Sequence, residues 1–153
     1  MSEIPRVEGW DLAQREIVTT RIMKTPRETV FGAWTDPEKL KRWWGPNGFT
    51  NTFNLFEPKP GGKWSFVMHG PDGKNYPNES VFIEVVKPER IILHHLSAPF
   101  FQLTVIFDDL AGRTKISFRM LFENVAVCEA VKSIVHDGNE QNFDRLEAVL
   151  AGK

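Results

Sequence analysis

The chain has 153 residues, of which 41% are apolar and 25% charged, and nineteen basic against twenty acidic side chains leave a net charge of −1. That mix belongs to a folded globular protein large enough for its own core and excludes an extended disordered chain. A near-zero net charge also provides no global field to attract nucleic acid or an anionic membrane surface.

Residues 1–15 read as an N-terminal extension ahead of one domain over 16–153. The opening "MSEIPRVEGW" lacks the apolar run of a signal peptide, and no stretch approaches the ~20 apolar residues of a membrane helix. "EIVTTRIM" (16–23) is rich in β-branched types and predicts a strand. Thr25-Pro26-Arg27-Glu28 has the form of a capping box with proline at the first helical position, after which Val30, Phe31 and Trp34 share a face. Asp36-Pro37 repeats the device; Leu40, Trp43 and Trp44 form the next apolar face, and Gly45-Pro46 stops it. Two short helices therefore follow the first strand.

From about residue 49 to 122 the apolar period is two, broken by turn residues, which predicts strands at 49–56, 63–69, 79–86, 91–96, 100–107 and 113–122. The connections "EPKPGG", "GPDGK", "KPER" and "DDLAG" are short, so neighbouring strands are antiparallel. In the last strand Ile116, Phe118 and Met120 face one way, and Lys115, Ser117 and Arg119 the other, so one side is buried and the other wet. From Asn124 onward the spacing becomes helical, with Cys128, Val131, Val135, Asn142, Leu146 and Val149 in a stripe and Gly138 near its middle. The expected fold is α+β, a curved antiparallel sheet of about seven strands wrapped on a long C-terminal helix. Such a sheet cannot pack flat on one helix. Space is left at its ends, and the two short helices cover one opening.

"VFGAWTDPEKLKRWWGPNGFT", "KPGGKWSFVMHGPDGKNYP", "VFIEVVKPERI" and "GNEQNFDRLEAVL" together resemble the activator-of-heat-shock-ATPase-like branch of the START-like (SRPBCC) helix-grip superfamily. The resemblance runs from about Glu16 to Leu150. It implies a helix-grip fold with an internal cavity, in a superfamily whose members bind lipids, hormones or polyketides, assist chaperones, or in some cases catalyse cyclisations. Stress response and a chaperone partner are further implications of the resemblance.

Few residues suggest chemistry. His94 and His95 lie in one strand and point to opposite faces, so at most one reaches a cavity on the concave side. With His69 they are the acid-base candidates of a cyclase- or hydratase-like enzyme, against a plainer polar lining role. His136 and Glu140 have a metal-compatible spacing but no third ligand, and Cys128 has no evident activating neighbour. "PGGKW" lacks the Lys-Ser/Thr and the following helix of a phosphate loop. Lys39, Lys41 and Arg42 beside the tryptophans are interrupted by Asp36 and Glu38, which fits a solvated helix face better than a nucleic-acid track. No metal or organic cofactor is implied.

The aromatic content of 12% carries the main expectation. Phe31, Phe107 and Phe118 read as packing residues. Trp43, Trp44, Phe53, Trp64, Met68, Phe82, His94, His95, Phe100, Phe101, Met120 and Phe143 sit where sheet and helices converge and are the candidate ligand-binding residues. Successive helical residues diverge by about 100°, so one of Trp43 and Trp44 is expected to pack inward and the other to face the cavity mouth. The function expected is non-catalytic binding of a small apolar or amphipathic ligand by a monomer or homodimer. The lone cysteine points to a reducing, cytoplasmic setting.

Overall fold

The computed structural model describes residues 13–152, so "MSEIPRVEGW" and most of the expected N-terminal extension lie outside the described residues. Strand β1 (Glu16–Met23) is followed by helices α1 (Arg27–Thr35) and α2 (Pro37–Trp43). Then come β2 (Thr50–Phe56), β3 (Lys63–His69), β4 (Asn75–Val86), β5 (Arg90–His95), β6 (Phe101–Asp109) and β7 (Thr114–Phe122), and the long helix α3 (Val125–Leu150) ends the series. The sheet order is β1-β7-β6-β5-β4-β3-β2, with every neighbouring pair antiparallel. This is the helix-grip architecture: the sheet curves, and α3 lies along β1 and β7.

Local chemistry accounts for the helix ends, with one correction. Asp36 caps α2 by accepting from the Glu38 N–H at 2.9 Å, and Asn124 caps α3 by accepting from the Val127 N–H at 2.8 Å. The capping box expected at Thr25 does not form. Pro26 is itself the N-cap of α1, without any side-chain hydrogen bond, and its carbonyl accepts from the N–H groups of Thr29 and Val30. The Thr25 carbonyl instead accepts from the Thr114 hydroxyl at 2.7 Å, which ties the turn to β7.

Strand β4 begins at Asn75 rather than 79, because the "GPDGK" turn returns the chain at once into pairing, with His69 opposite Asn75 and Met68 opposite Tyr76. Ser117, expected on the wet face of β7, is buried between the taller cross-strand neighbours Thr20 and Ile106. The buried core runs under the concave face through Trp34, Trp43, Phe82, Phe107, Phe118, Phe143 and Leu146. Trp34, Trp43 and Trp44 meet edge to face at centroid distances of 5.1 to 5.7 Å, an arrangement that adds about 0.5–1.5 kcal/mol per pair beyond burial.

Candidate functional site: a cavity between sheet and long helix

One ladder row crosses the sheet from Phe56 through Trp64, Ser80, His95 and Phe101 to Phe122, each residue directly opposite the next. Because cross-strand partners share a face, this row presents an aromatic floor with two polar interruptions. His95 stacks on Phe101 at 4.5 Å, and Phe101 leans on Phe122 at 5.4 Å. Above the floor, α3 does not lie flat. Its middle, from Val131 to Asn142, and the Trp44–Phe49 segment after α2 bridge over the sheet and bound a cavity of about 700 Å³. Its mouth is edged by the exposed Tyr76, Pro77, Ala98, Pro99 and Ile134. A smaller concavity between the end of β1 and the end of α3 is walled by Lys24, Thr25 and Glu147 as much as by apolar residues and gathers no set of converging groups.

The segment forming the roof over β3 is held by contacts to α3. Gly45 has φ +99°, and a Cβ there would come within 2.7 Å of Met68 Cε, so this position requires glycine. Its N–H donates to Asn142 Oδ1 at 2.7 Å. The Arg145 guanidinium donates to the carbonyls of Trp44, Gly45 and Pro46 through Nη1, and to those of Arg42 and Phe49 through Nη2. Burial holds its pKa below the ordinary arginine value. Asn51 on β2 donates to the carbonyls of Lys41 and Trp44. Thus Trp44, the C-cap of α2 with extended backbone, is fixed from both sides.

Of the residues singled out in the sequence, Trp44, Trp64, Met68, His95, Phe101 and Met120 lie on the cavity wall. The other six lie elsewhere. Trp43 is fully buried, its Nε1–H donating to the Ala33 carbonyl at 3.0 Å, so the two adjacent tryptophans do diverge. Phe53 and Phe82 adjoin register shifts in β2 and β4, and both pack behind Trp64 rather than beside the cavity. His94 points to the opposite face of β5, where it meets Gln102 at 2.9 Å and the ring of Phe100 at 5.5 Å. Phe100 itself is partly exposed on that face. Phe143, one position past Asn142 on α3, turns away onto Phe118 at 4.6 Å and under the Arg21 guanidinium. Phe118, read as a packing residue, does reach the wall. Phe66 and Phe122 were also missed, although alternation with Trp64, Met68 and Met120 was enough to place them on the same face.

His95 is mostly buried, and its pKa is lowered, chiefly by desolvation, against the raising effect of backbone contacts at Pro99 and Ser97. Its Nδ1 faces the Pro99 carbonyl at 3.0 Å and its Nε2 faces Asn78 Oδ1 at 2.7 Å, two acceptors of which a neutral ring can donate to one at a time. Both nitrogens are engaged by protein. His69 lies outside the wall, between Thr52 and Asn75 at 2.7 Å each. Cys128 is buried in the core, which raises its thiol pKa and works against a thiolate. His136 and Glu140 approach to 4.0 Å, but Glu140 also pairs with Arg21 at 2.7 Å. Among the described residues no three His, Cys, Asp or Glu side chains gather as a metal site, and no helix is long and apolar enough to cross a membrane.

The geometry has close counterparts among solved structures. A protein from Arthrobacter aurescens superposes with TM-score 0.86 at 23% identity, covering 94% of this chain and 90% of that one. One from Nitrosomonas europaea gives 0.83 at 20%, covering 92% and 96%. The AHSA1 protein of Silicibacter pomeroyi gives 0.72 at 19%, covering 89% and 97%. At these identities the likeness is one of fold. No curated protein matches the chain. The profile described as "Activator of Hsp90 ATPase homolog 1-like protein" matches residues 24–151, most of the chain from the end of β1 to just past α3, and the chain belongs to that family.

Proposed function

We propose that the chain binds a small apolar or amphipathic molecule in the cavity between sheet and α3, without converting it. The carrying observation is the cavity of about 700 Å³, large enough for a drug-sized ligand and walled by Trp44, Trp64, Phe66, Met68, Phe101, Met120 and Phe122. An apolar wall of this extent gains about 25 cal/mol per Å² when an apolar ligand displaces water. Acid-base catalysis has weaker support, because both His95 nitrogens are already occupied by Pro99 and Asn78. A chaperone partner has weaker support as well, since it would need a surface rather than a cavity. The lone, buried Cys128 fits a reducing compartment such as the cytoplasm.

Native mass spectrometry of the purified protein should detect a co-purifying small molecule, and N-phenylnaphthylamine fluorescence should report its displacement. Trp44→Ala should weaken the probe by roughly 1–3 kcal/mol with the fold intact. Trp43→Ala should instead destabilise the fold by about 3–5 kcal/mol. If both variants lose only stability, and affinity per folded molecule is unchanged, the tryptophans serve as core and the binding reading fails.

A further inference from the structure

Two asparagines of α3 sit on the cavity wall with polar atoms that no group among the described residues meets. Asn139 and Asn142 are each 6% exposed, buried as deeply as core residues. Asn142 Oδ1 accepts from the Gly45 N–H at 2.7 Å, which fixes the orientation of the amide. Its Nδ2 is then left as a donor without a partner among the described residues. Asn139 directs Nδ2 to Thr19 Oγ1 at 3.2 Å and Met120 Sδ at 3.5 Å, which leaves Oδ1 as an acceptor without a partner among the described residues. Three residues apart on one helix, the two side chains are neighbours on the same face, with Cβ atoms about 5–6 Å apart. Neither atom is sealed in packed core, so each keeps accessible surface at the cavity wall, where an occupant that supplies the missing hydrogen bond is favoured over one that only strips it of water. Both open atoms belong to residues on one wall of one cavity.

The rest of the wall narrows what could meet them. Among the described residues that line the cavity there is no Lys, Arg, Asp or Glu. A carboxylate or ammonium placed inside would lose its hydration without any counter-charge, so a neutral occupant is favoured. The aromatic floor favours a flat apolar body, which can lie against Phe101 and Trp64. An acceptor and a donor side by side match a group that both donates and accepts through one atom, which is a hydroxyl.

We infer that the cavity selects an uncharged, flat apolar molecule carrying an alcohol or phenol hydroxyl, whose O–H donates to Asn139 Oδ1 and whose oxygen accepts from Asn142 Nδ2–H. This rests on the binding reading above and adds the polar end of the ligand to it. Fatty acids and organic cations are the classes it rejects.

The test compares three fluorescent probes of one shape, pyrene, 1-hydroxypyrene and pyrene-1-carboxylate, titrated into the intact protein and into Asn139→Leu and Asn142→Leu. The wild type should bind 1-hydroxypyrene about five- to tenfold more tightly than either of the others, the discrimination expected of one or two neutral hydrogen bonds. Each substitution should bring 1-hydroxypyrene to the affinity of pyrene and leave pyrene itself unchanged. Asn142→Leu also strands the Gly45 N–H, so its thermal melt is recorded first. Asn139→Leu keeps that contact and remains decisive if Asn142→Leu does not fold. Equal binding of pyrene and 1-hydroxypyrene, a preference that survives Asn139→Leu, or tightest binding of the carboxylate would overturn the inference while leaving a binding cavity in place. No measurable binding of any of the three would overturn both.

Discussion

Replacing Arg145 with methionine tests how the cavity roof is held. The guanidinium reaches five backbone carbonyls, at 3.2, 2.7 and 2.9 Å from Nη1 and 3.0 Å each from Nη2. Two terminal nitrogens carry four N–H groups, so five acceptors share four donors, and the 3.2 Å contact to Trp44 is the weakest. Truncating a charged donor can cost about 1.5–3 kcal/mol per bond where the partner stays dry. Arg145 is only partly buried, and several of these carbonyls will rehydrate in the variant, which brings the net loss near 1 kcal/mol per bond. With some compensation from the longer contacts, the total is about 3 kcal/mol. For a chain of this length that corresponds to a drop in Tm of roughly 6–12 °C, measurable by circular dichroism or calorimetry. Methionine retains the apolar stem, so the loss isolates the fork. Arg145→Lys should recover part of it, since one ammonium cannot span carbonyls from Arg42 to Phe49. Probe affinity should fall in the same variants, because Trp44 loses one of its two restraints. If Arg145→Met is within about 0.5 kcal/mol of wild type, the roof is held by packing and this reasoning is refuted.

Asp36→Ala removes the bond to the Glu38 N–H and should cost about 1 kcal/mol by urea unfolding, with Asp36→Asn restoring most of it. Gly62→Ala places a Cβ 2.0 Å from the Glu57 carbonyl oxygen in the loop before β3, and should cost at least about 2 kcal/mol in the same assay; a neutral result would mean that this turn yields freely. His95 has a folded-state pKa below the ordinary imidazole value, so the unfolded chain binds its proton more readily than the folded one. The associated stability is complete above the unfolded pKa of about 6.5 and is lost as pH falls below it. Tm should therefore decline on acidification from about pH 7 to 5, and His95→Gln should flatten that decline; an unchanged slope would assign the acid sensitivity to other groups.

The β-branched run at 16–23, the alternation from 49 to 122, the turn residues and the helical stripe after Asn124 were enough to place the seven strands and the long helix, and Asp36 was recognisable as a cap from its own neighbours. These features are local: a pleat repeats every two residues and a cap acts across one turn, so they are written in consecutive positions. The family resemblance was legible for a related reason, since its Trp-Trp-Gly-Pro and Pro-Gly-Gly motifs encode turns. The cavity wall was legible only in half of its proposed residues. Phe53 and Phe82 do face inward, opposite Phe66 and Leu93, but they pack behind Trp64, and nothing in "FTNTFNLF" or "ESVFIEVV" sets how far along a strand the cavity reaches. The first helix starts one residue later than Thr25 suggested, with Pro26 as its N-cap, while the Thr25 carbonyl is held by Thr114, far along the chain. Arg145 and Arg21 drew no reading in the sequence, yet Arg145 on α3 gathers five carbonyls of the roof and Arg21 on β1 meets Glu140, Asp144 and Glu147. Asn142 stood in the apolar stripe as an oddity, and Asn139 drew no attention. Their open amide atoms acquire meaning only when the rotation of α3 over a curved sheet sets both at the same cavity, with the contacts that orient them spanning 97 and 120 residues, and not through any short run of sequence.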